Sequence, residues 1–230
     1  MKFSHKIQKL ADPAVAVSFK RAVGRVVRPL PISRFMSQID LGELHRIRQT
    51  YGVPGSRDFP KYVEAERFLK LNIRRAQDLE LDRMPAQRIL DLGSGAGYFL
   101  FVTQVLGHSG LGIDLDNYPL FREMFELFGL RRIIHRIEKF RPLPETGGRY
   151  NWITAFSIGF SGPLQPIPWG IAEWDYFLQD AKQHLAPGGR IYLDLNPTRD
   201  GSFYTDELRQ FFLDQGAVID RRSKLLFPPQ

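Results

Sequence analysis

The chain of 230 residues contains no cysteine. That absence excludes a disulfide framework, a cysteine nucleophile and a thiolate zinc site, and it fits a reducing compartment. Long apolar runs are missing as well: no stretch approaches the roughly 20 residues that span a bilayer. The first residues also lack the apolar core of a signal peptide. A cytoplasmic protein is expected, with at most a peripheral place at the inner membrane face. Histidines and carboxylates never fall together at ligand spacing, so no metal is expected. Internal repeats and low-complexity stretches are absent too. What is present is ordinary for a soluble globular chain, with 43% hydrophobic and 25% charged residues, enough for one substantial domain and an appendage.

The net charge of +7 is unevenly placed. Residues 1–34 hold eight basic residues, Lys2, Lys6, Lys9, Lys20, Arg21, Arg25, Arg28 and Arg34, against the single acid Asp12, which leaves 24 of each sign for the rest. The body is neutral and the charge belongs to a leader. Within it, Val15, Phe19, Ala22, Val23 and Val26 recur at helical spacing between Pro13 and Pro29, so positions 13–28 read as a basic amphipathic helix. Such a helix can lie on an anionic membrane, bind nucleic-acid phosphates, or pack on its own domain.

Three regions follow: the leader over 1–35, helices over 36–84 and a main domain over 85–230. Helices are predicted near 38–50 and 60–79, split by the turn signals of "YGVPGS". From Arg88 onward, apolar strands alternate with helices. "RILDL", "GLGIDL", "RRIIHRI", "NWITAFSI" and "RIYLDL" read as strands; "GYFLFVTQVLG", "YPLFREMFELFGL", "AEWDYFLQDAKQHLAPGG" and "TDELRQFFLDQGA" read as helices. Continuous apolar strands alternating with helices predict an α/β fold, a doubly wound and mostly parallel sheet.

In such a sheet ligands sit beyond the carboxyl ends of the strands, and the loop after the first strand supplies the site. Here that loop is "DLGSGAG". Gly93, Gly95 and Gly97 fall at positions one, three and five, whereas a nicotinamide fingerprint needs glycine at the sixth position, which is Tyr98. The preceding carboxylate, Asp91, opposes a pyrophosphate and suits a cationic ligand.

The stretch "ILDLGSGAGYF", the acid in "GLGIDLD" 17 positions beyond Gly97, and the block "HLAPGGRIYLDL" together resemble class I S-adenosylmethionine-dependent methyltransferases over roughly residues 86–220. The resemblance implies a Rossmann-like fold and S-adenosylmethionine as cofactor. It places cofactor contacts on Asp91, Gly93, Ser94, Gly95, Gly97, Asp114 and Leu115, with Asp114 accepting from the ribose hydroxyls and Phe156 near the methyl end. Ile137 is placed on the adenine ring and Glu138 at its amino group. The family fold ends in an antiparallel hairpin, and "GAVIDRRSKLLFPPQ" is short for both strands, so one is expected to be abbreviated.

For the acceptor side, the long loop after the fourth strand carries Phe160, Trp169 and Trp174, aromatic surface suited to stacking on a substrate. Lys61 and Tyr62 precede the core, where related enzymes place lid helices. Glu173, Asp175, Asn196 and His108 are the polar groups available to the site, the first three as catalytic candidates. Glu173 and Asp175 also open a helix, where acids are favoured without any catalytic role. The Asp/Asn-Pro-Pro-aromatic signature of enzymes methylating nucleobase amines is absent, since Ser157, Ile158 and Gly159 stand in its place. The expected reaction is O-methylation of a saccharide, a lipid-linked glycan or another small hydroxylated metabolite. The alternatives are an RNA methyltransferase whose leader contacts phosphates, and a protein that binds the cofactor without transferring its methyl.

Overall fold

A computed structural model describes residues 29–53, 60–158, 160, 168–198 and 200–229. The amphipathic helix expected over 13–28 lies outside them. The chain enters through α1 (Ile32–Met36), inside the span assigned to the leader, and Phe35 anchors it, fully buried. Burying such a ring contributes about 2 kcal/mol.

Helix α2 (Leu41–Tyr51) starts after Asp40, whose carboxylate accepts from the N–H groups of Gly42 and Glu43 at 2.9 and 3.0 Å and so satisfies two of the donors a helix start leaves unpaired. The helix predicted from residue 60 divides in two. Pro60–Val63 forms a 3-10 turn, and α3 (Ala65–Asp78) follows. Its buried Ala65, Leu69, Asn72, Ile73 and Ala76 form one stripe at helical spacing.

The core alternates as expected: β1 (Arg88–Leu92), α4 (Tyr98–Val105), β2 (Ser109–Asp114), α5 (Pro119–Leu127), β3 (Arg132–Ile134), β4 (Tyr150–Ile158), α6 (Ile171–Gln183), β5 (Leu185–Leu195), α7 (Asp206–Asp214), β6 (Val218–Asp220) and β7 (Lys224–Phe227). Strand order is β3-β2-β1-β4-β5-β7-β6, parallel except for β7, which is antiparallel to both β5 and β6. This is the Rossmann-like arrangement of the class I methyltransferase fold, preceded by helices.

Both strands of the terminal hairpin are present, three and four residues long. The chain reverses between them with Arg221 and Arg222 at φ 51° and 64°, a left-handed geometry that arginine adopts at a cost.

Because side chains alternate along a strand, the sheet has two distinct faces. Ile89, Trp152 and Tyr192 join α1 to α5 in one core, while Leu90, Leu92, Ile153, Ala155, Ile191 and Leu193 join α6 and α7 in the other. Asp91, Thr154, Phe156 and Asp194 therefore lie on the face covered by α3 and α4. Among the described residues, no helix is long and apolar enough to cross a membrane.

Candidate functional site

The crevice lies at the carboxyl edge of the sheet, where the strand order reverses between β1 and β4. Gly93, Gly95 and Gly97 have φ of 66°, 55° and 76°, so the loop turns through conformations that side chains resist. The three glycines differ in what surrounds them. A Cβ on Gly97 would come within 2.9 Å of the Phe125 ring, so this position is closed by packing; a Cβ on Gly95 would meet nothing within 4 Å, so this one borders open space. Gly112 of β2 completes the cradle: a Cβ there would sit 2.6 Å from Ser94 Oγ and 2.8 Å from Phe125.

Asp114 ties loop to strand. Its Oδ2 accepts from Gly95 N–H at 2.5 Å and its Oδ1 from Leu115 N–H at 2.7 Å, while Gly93 N–H donates to Ile113 O at 2.8 Å. Burial pushes its carboxyl up; the two N–H groups and Arg132 act the other way. Each carboxylate oxygen retains a lone pair, room for two further donors such as vicinal hydroxyls. Ser94 Oγ is buried and unpartnered among the described residues, a polar atom beside the open loop that a ligand group can satisfy. The donor set, the open space over Gly95 and this orphaned hydroxyl fit a nucleoside with free ribose hydroxyls.

Asp91 stands one step deeper. It is in register with Gly112 and Thr154, and Thr154 Oγ1 donates to it at 2.6 Å. Burial pushes its carboxyl up to about 7, against the Thr154 hydrogen bond and the Arg75 charge. An ammonium group arriving beside it would restore its ionisation.

Arg75 is the functional candidate that the sequence reading missed. It projects from α3 over this face of the sheet, its guanidinium 4.4 Å from the centre of the Phe156 ring, and it donates to Asn72 Oδ1 at 3.1 Å and to Ser157 Oγ at 3.5 Å. Burial lowers its affinity for the proton, and Asp194 and Asp91 raise it. Among the described residues no carboxylate lies within ion-pair distance of it, so a half-buried cation faces the crevice and can receive an anionic group such as an amino-acid carboxylate. In sequence, "NIRRAQD" marks two adjacent arginines on a helix, and only the face of α3 that turns to the sheet separates Arg75 from the exposed Arg74.

Tyr62 joins this group. Its ring packs on Phe68 and Phe121, its carbonyl accepts from Tyr98 OH at 2.7 Å, and burial raises its phenol, with Arg75 opposing and Asp114 adding to the effect. Phe156 is held between Phe99, Tyr192 and Arg75. Asn196, beyond β5, donates from Nδ2 to Ser157 O at 2.6 Å. Ser157 has φ 60°, a strained geometry at the end of β4.

The remaining candidates lie elsewhere or are engaged. Glu173 caps its own helix: Gly170 N–H donates to it at 2.9 Å and Lys139 Nζ stands 3.4 Å away. Its own N–H, that of Gly170 and Lys139 hold its carboxyl below the usual range. Asp175 accepts from Gln179 at 2.7 Å. Glu138 is exposed and paired with Arg141 at 2.6 Å, while Ile137 packs against the α6 core. Phe160, Trp169 and Trp174 are 3%, 3% and 1% exposed, their rings packed on one another and on Phe177. These rings belong to the core against α6. His108 sits at the opposite edge, where Gln87 N–H donates to its Nδ1 at 3.1 Å and Leu81 O lies 2.8 Å from its Nε2.

No family model and no curated protein matches the chain. Solved structures similar to it include methyltransferases. One is an O-methyltransferase family protein from Burkholderia thailandensis, 16% identical with a TM-score of 0.46, the match covering 83% of this chain and 67% of that one. A ribosomal protein methylase from Lactobacillus delbrueckii is 16% identical, TM-score 0.44, over 73% of this chain and 79% of its own. An amino pentose methyltransferase from Micromonospora echinaspora, bound to S-adenosylmethionine, is 20% identical, TM-score 0.45, over 67% and 63%.

Proposed function

We propose that the chain is an S-adenosylmethionine-dependent methyltransferase acting on a hydroxyl of a saccharide, a lipid-linked glycan or another small hydroxylated metabolite. The observation that carries this reading is the clasp of Asp114 on Gly95 N–H beneath a loop open above Gly95, a site for a nucleoside held by its ribose. Asp91 and Arg75 then supply one acid and one cation, complementary to the ammonium and carboxylate of a methionyl group. The cofactor supplies an electrophilic methyl on sulfur, whose departure leaves a neutral thioether. The chain's own task is to hold the acceptor in line with that methyl and to keep water out, which accounts for most of such a rate enhancement.

At the acceptor side, Ser157 and Asn196 offer a hydroxyl and an amide suited to hydrogen bonding a polyol. Asn196 is the catalytic candidate best placed to orient an acceptor, since its amide is fixed on Ser157 O. Glu173 takes part only by giving up its helix cap. The test is transfer of labelled methyl from S-adenosylmethionine to a panel of saccharides and glycolipids, with RNA alongside. Label in an alkali-stable methyl ether supports the reading. Label in RNA alone, or cofactor binding with no transfer to any acceptor, overturns it.

A further inference from the structure

The sheet has a second opening at its other edge. Strands β4 and β5 begin there, and the antiparallel β7 ends there, so Arg149, Lys182, the start of β5 and the Phe227–Pro228 end converge. They border an open pocket of about 360 Å³, lined by Arg149, Lys182, Leu185 with the following turn through Gly189, Ile191, Phe227 and Pro228. That volume lies at the lower end of the roughly 300–1,000 Å³ of small-molecule sites. The register explains why the space exists: Tyr150 pairs with Leu185 and Trp152 with Arg190, so positions 186–189 bulge out of the ladder opposite one residue of β4. Gly188, at φ 73°, borders open space.

The charge in this cavity is of one sign. No acid is among its lining residues. Arg149 donates to Leu185 O at 3.0 Å and Lys182 to Gln215 Oε1 at 3.3 Å, neutral acceptors that position both cations without cancelling them. Among the described residues neither has a carboxylate within ion-pair distance. The carboxyl end of α6 contributes about half a negative charge, which two full positive charges outweigh. Leu185, Ile191, Phe227 and Pro228 give the walls an apolar character.

We propose that this cavity is a second ligand site, taking a small organic anion, a phosphate or carboxylate on an apolar body. It is distinct from the crevice: the run of β5 from Arg190 to Leu195 places the two about 17 Å apart at 3.3 Å per residue. β5 joins them directly, since Asn196 follows its last residue.

The experiment titrates the full chain with phenyl phosphate, followed by nuclear magnetic resonance, in the absence and presence of saturating S-adenosylhomocysteine, with benzyl alcohol as the neutral control. Saturable binding of phenyl phosphate in both conditions, and none of benzyl alcohol, is expected. In R149Q, at an exposed position, and K182Q, at a half-buried one, affinity falls about tenfold per lost charge-assisted bond, while affinity for S-adenosylhomocysteine stays unchanged. Absence of saturation, unchanged binding in both variants, or displacement by S-adenosylhomocysteine would overturn the proposal. The S-adenosylhomocysteine titration reads the crevice separately, so failure here is distinguishable from failure of the methyltransferase reading.

Discussion

Replacing Asp91 by Asn isolates the strain stored in the cofactor crevice. The Thr154 hydroxyl still finds an acceptor, but nothing at the position ionises. In the wild type, burial lifts this carboxyl from 3.8 to about 7, so the folded chain holds the proton more tightly than the unfolded one. The associated stability is complete below about pH 4 and is lost as pH rises through about 7, a total of about 4 kcal/mol at 1.36 kcal/mol per pKa unit. Asp91→Asn should therefore be more stable than the wild type by an amount that grows from pH 4 to 7 and levels off above. Urea unfolding at pH 5, 6, 7 and 8 reads the difference directly from the midpoints. A difference that is the same at every pH, or that shrinks as pH rises, refutes the assignment of a buried carboxyl held near neutrality. The same logic reaches the ligand: an ammonium beside Asp91 ionises it, so S-adenosylhomocysteine binding near pH 7 should release a proton. Calorimetry in buffers of different ionisation heat detects the release, and Asp91→Asn should abolish it.

Three further outcomes follow from particular contacts. Arg75→Met removes a cation stacked on Phe156, an interaction of about 1–2 kcal/mol when desolvated, together with the counter-charge for a methionyl carboxylate. Calorimetry should show S-adenosylhomocysteine affinity reduced by tenfold or more, order of magnitude, while adenosine, which lacks that carboxylate, binds as before. Gly97→Ala places a Cβ 2.9 Å from Phe125 at φ 76°, and backbone strain plus overpacking should cost about 2–5 kcal/mol by chemical denaturation. Arg222→Gly relieves a left-handed arginine in an exposed turn; thermal unfolding should show a gain of about 1 kcal/mol.

How far the sequence reaches is clearest in individual elements. The glycine loop, Asp114 and the alternation of strands were legible because each depends on local pattern: glycine where φ is positive, an acid where β2 ends, apolar runs where both faces are covered. The helix from residue 60 was read five residues too long, since Pro60 and the acid at 64 leave a 3-10 turn before α3 begins. β3 was read longer than its three residues because Ile137, beyond it, packs into the core without joining the sheet. The terminal hairpin is short, as expected, with β6 abbreviated to three residues, but its turn is not legible: Arg221 and Arg222 occupy left-handed positions where a sequence pattern looks for Gly or Asn. Arg75 was invisible for a different reason. Nothing in "NIRRAQD" distinguishes an arginine over a sheet face from its exposed neighbour until α3 is docked, and Trp174 as core likewise depends on tertiary packing.

The central claim is that the loop over Gly95, clasped by Asp114, holds a sulfur-bearing nucleoside. It is tested most directly by calorimetric titration of the purified chain and of Asp114→Ala with S-adenosylhomocysteine and with NAD. The account predicts saturable binding of S-adenosylhomocysteine and none of NAD, with affinity in Asp114→Ala weakened by about 1.5–3 kcal/mol, the worth of a lost charge-assisted hydrogen bond. Binding of NAD instead, or equal affinity in the folded variant, would contradict it.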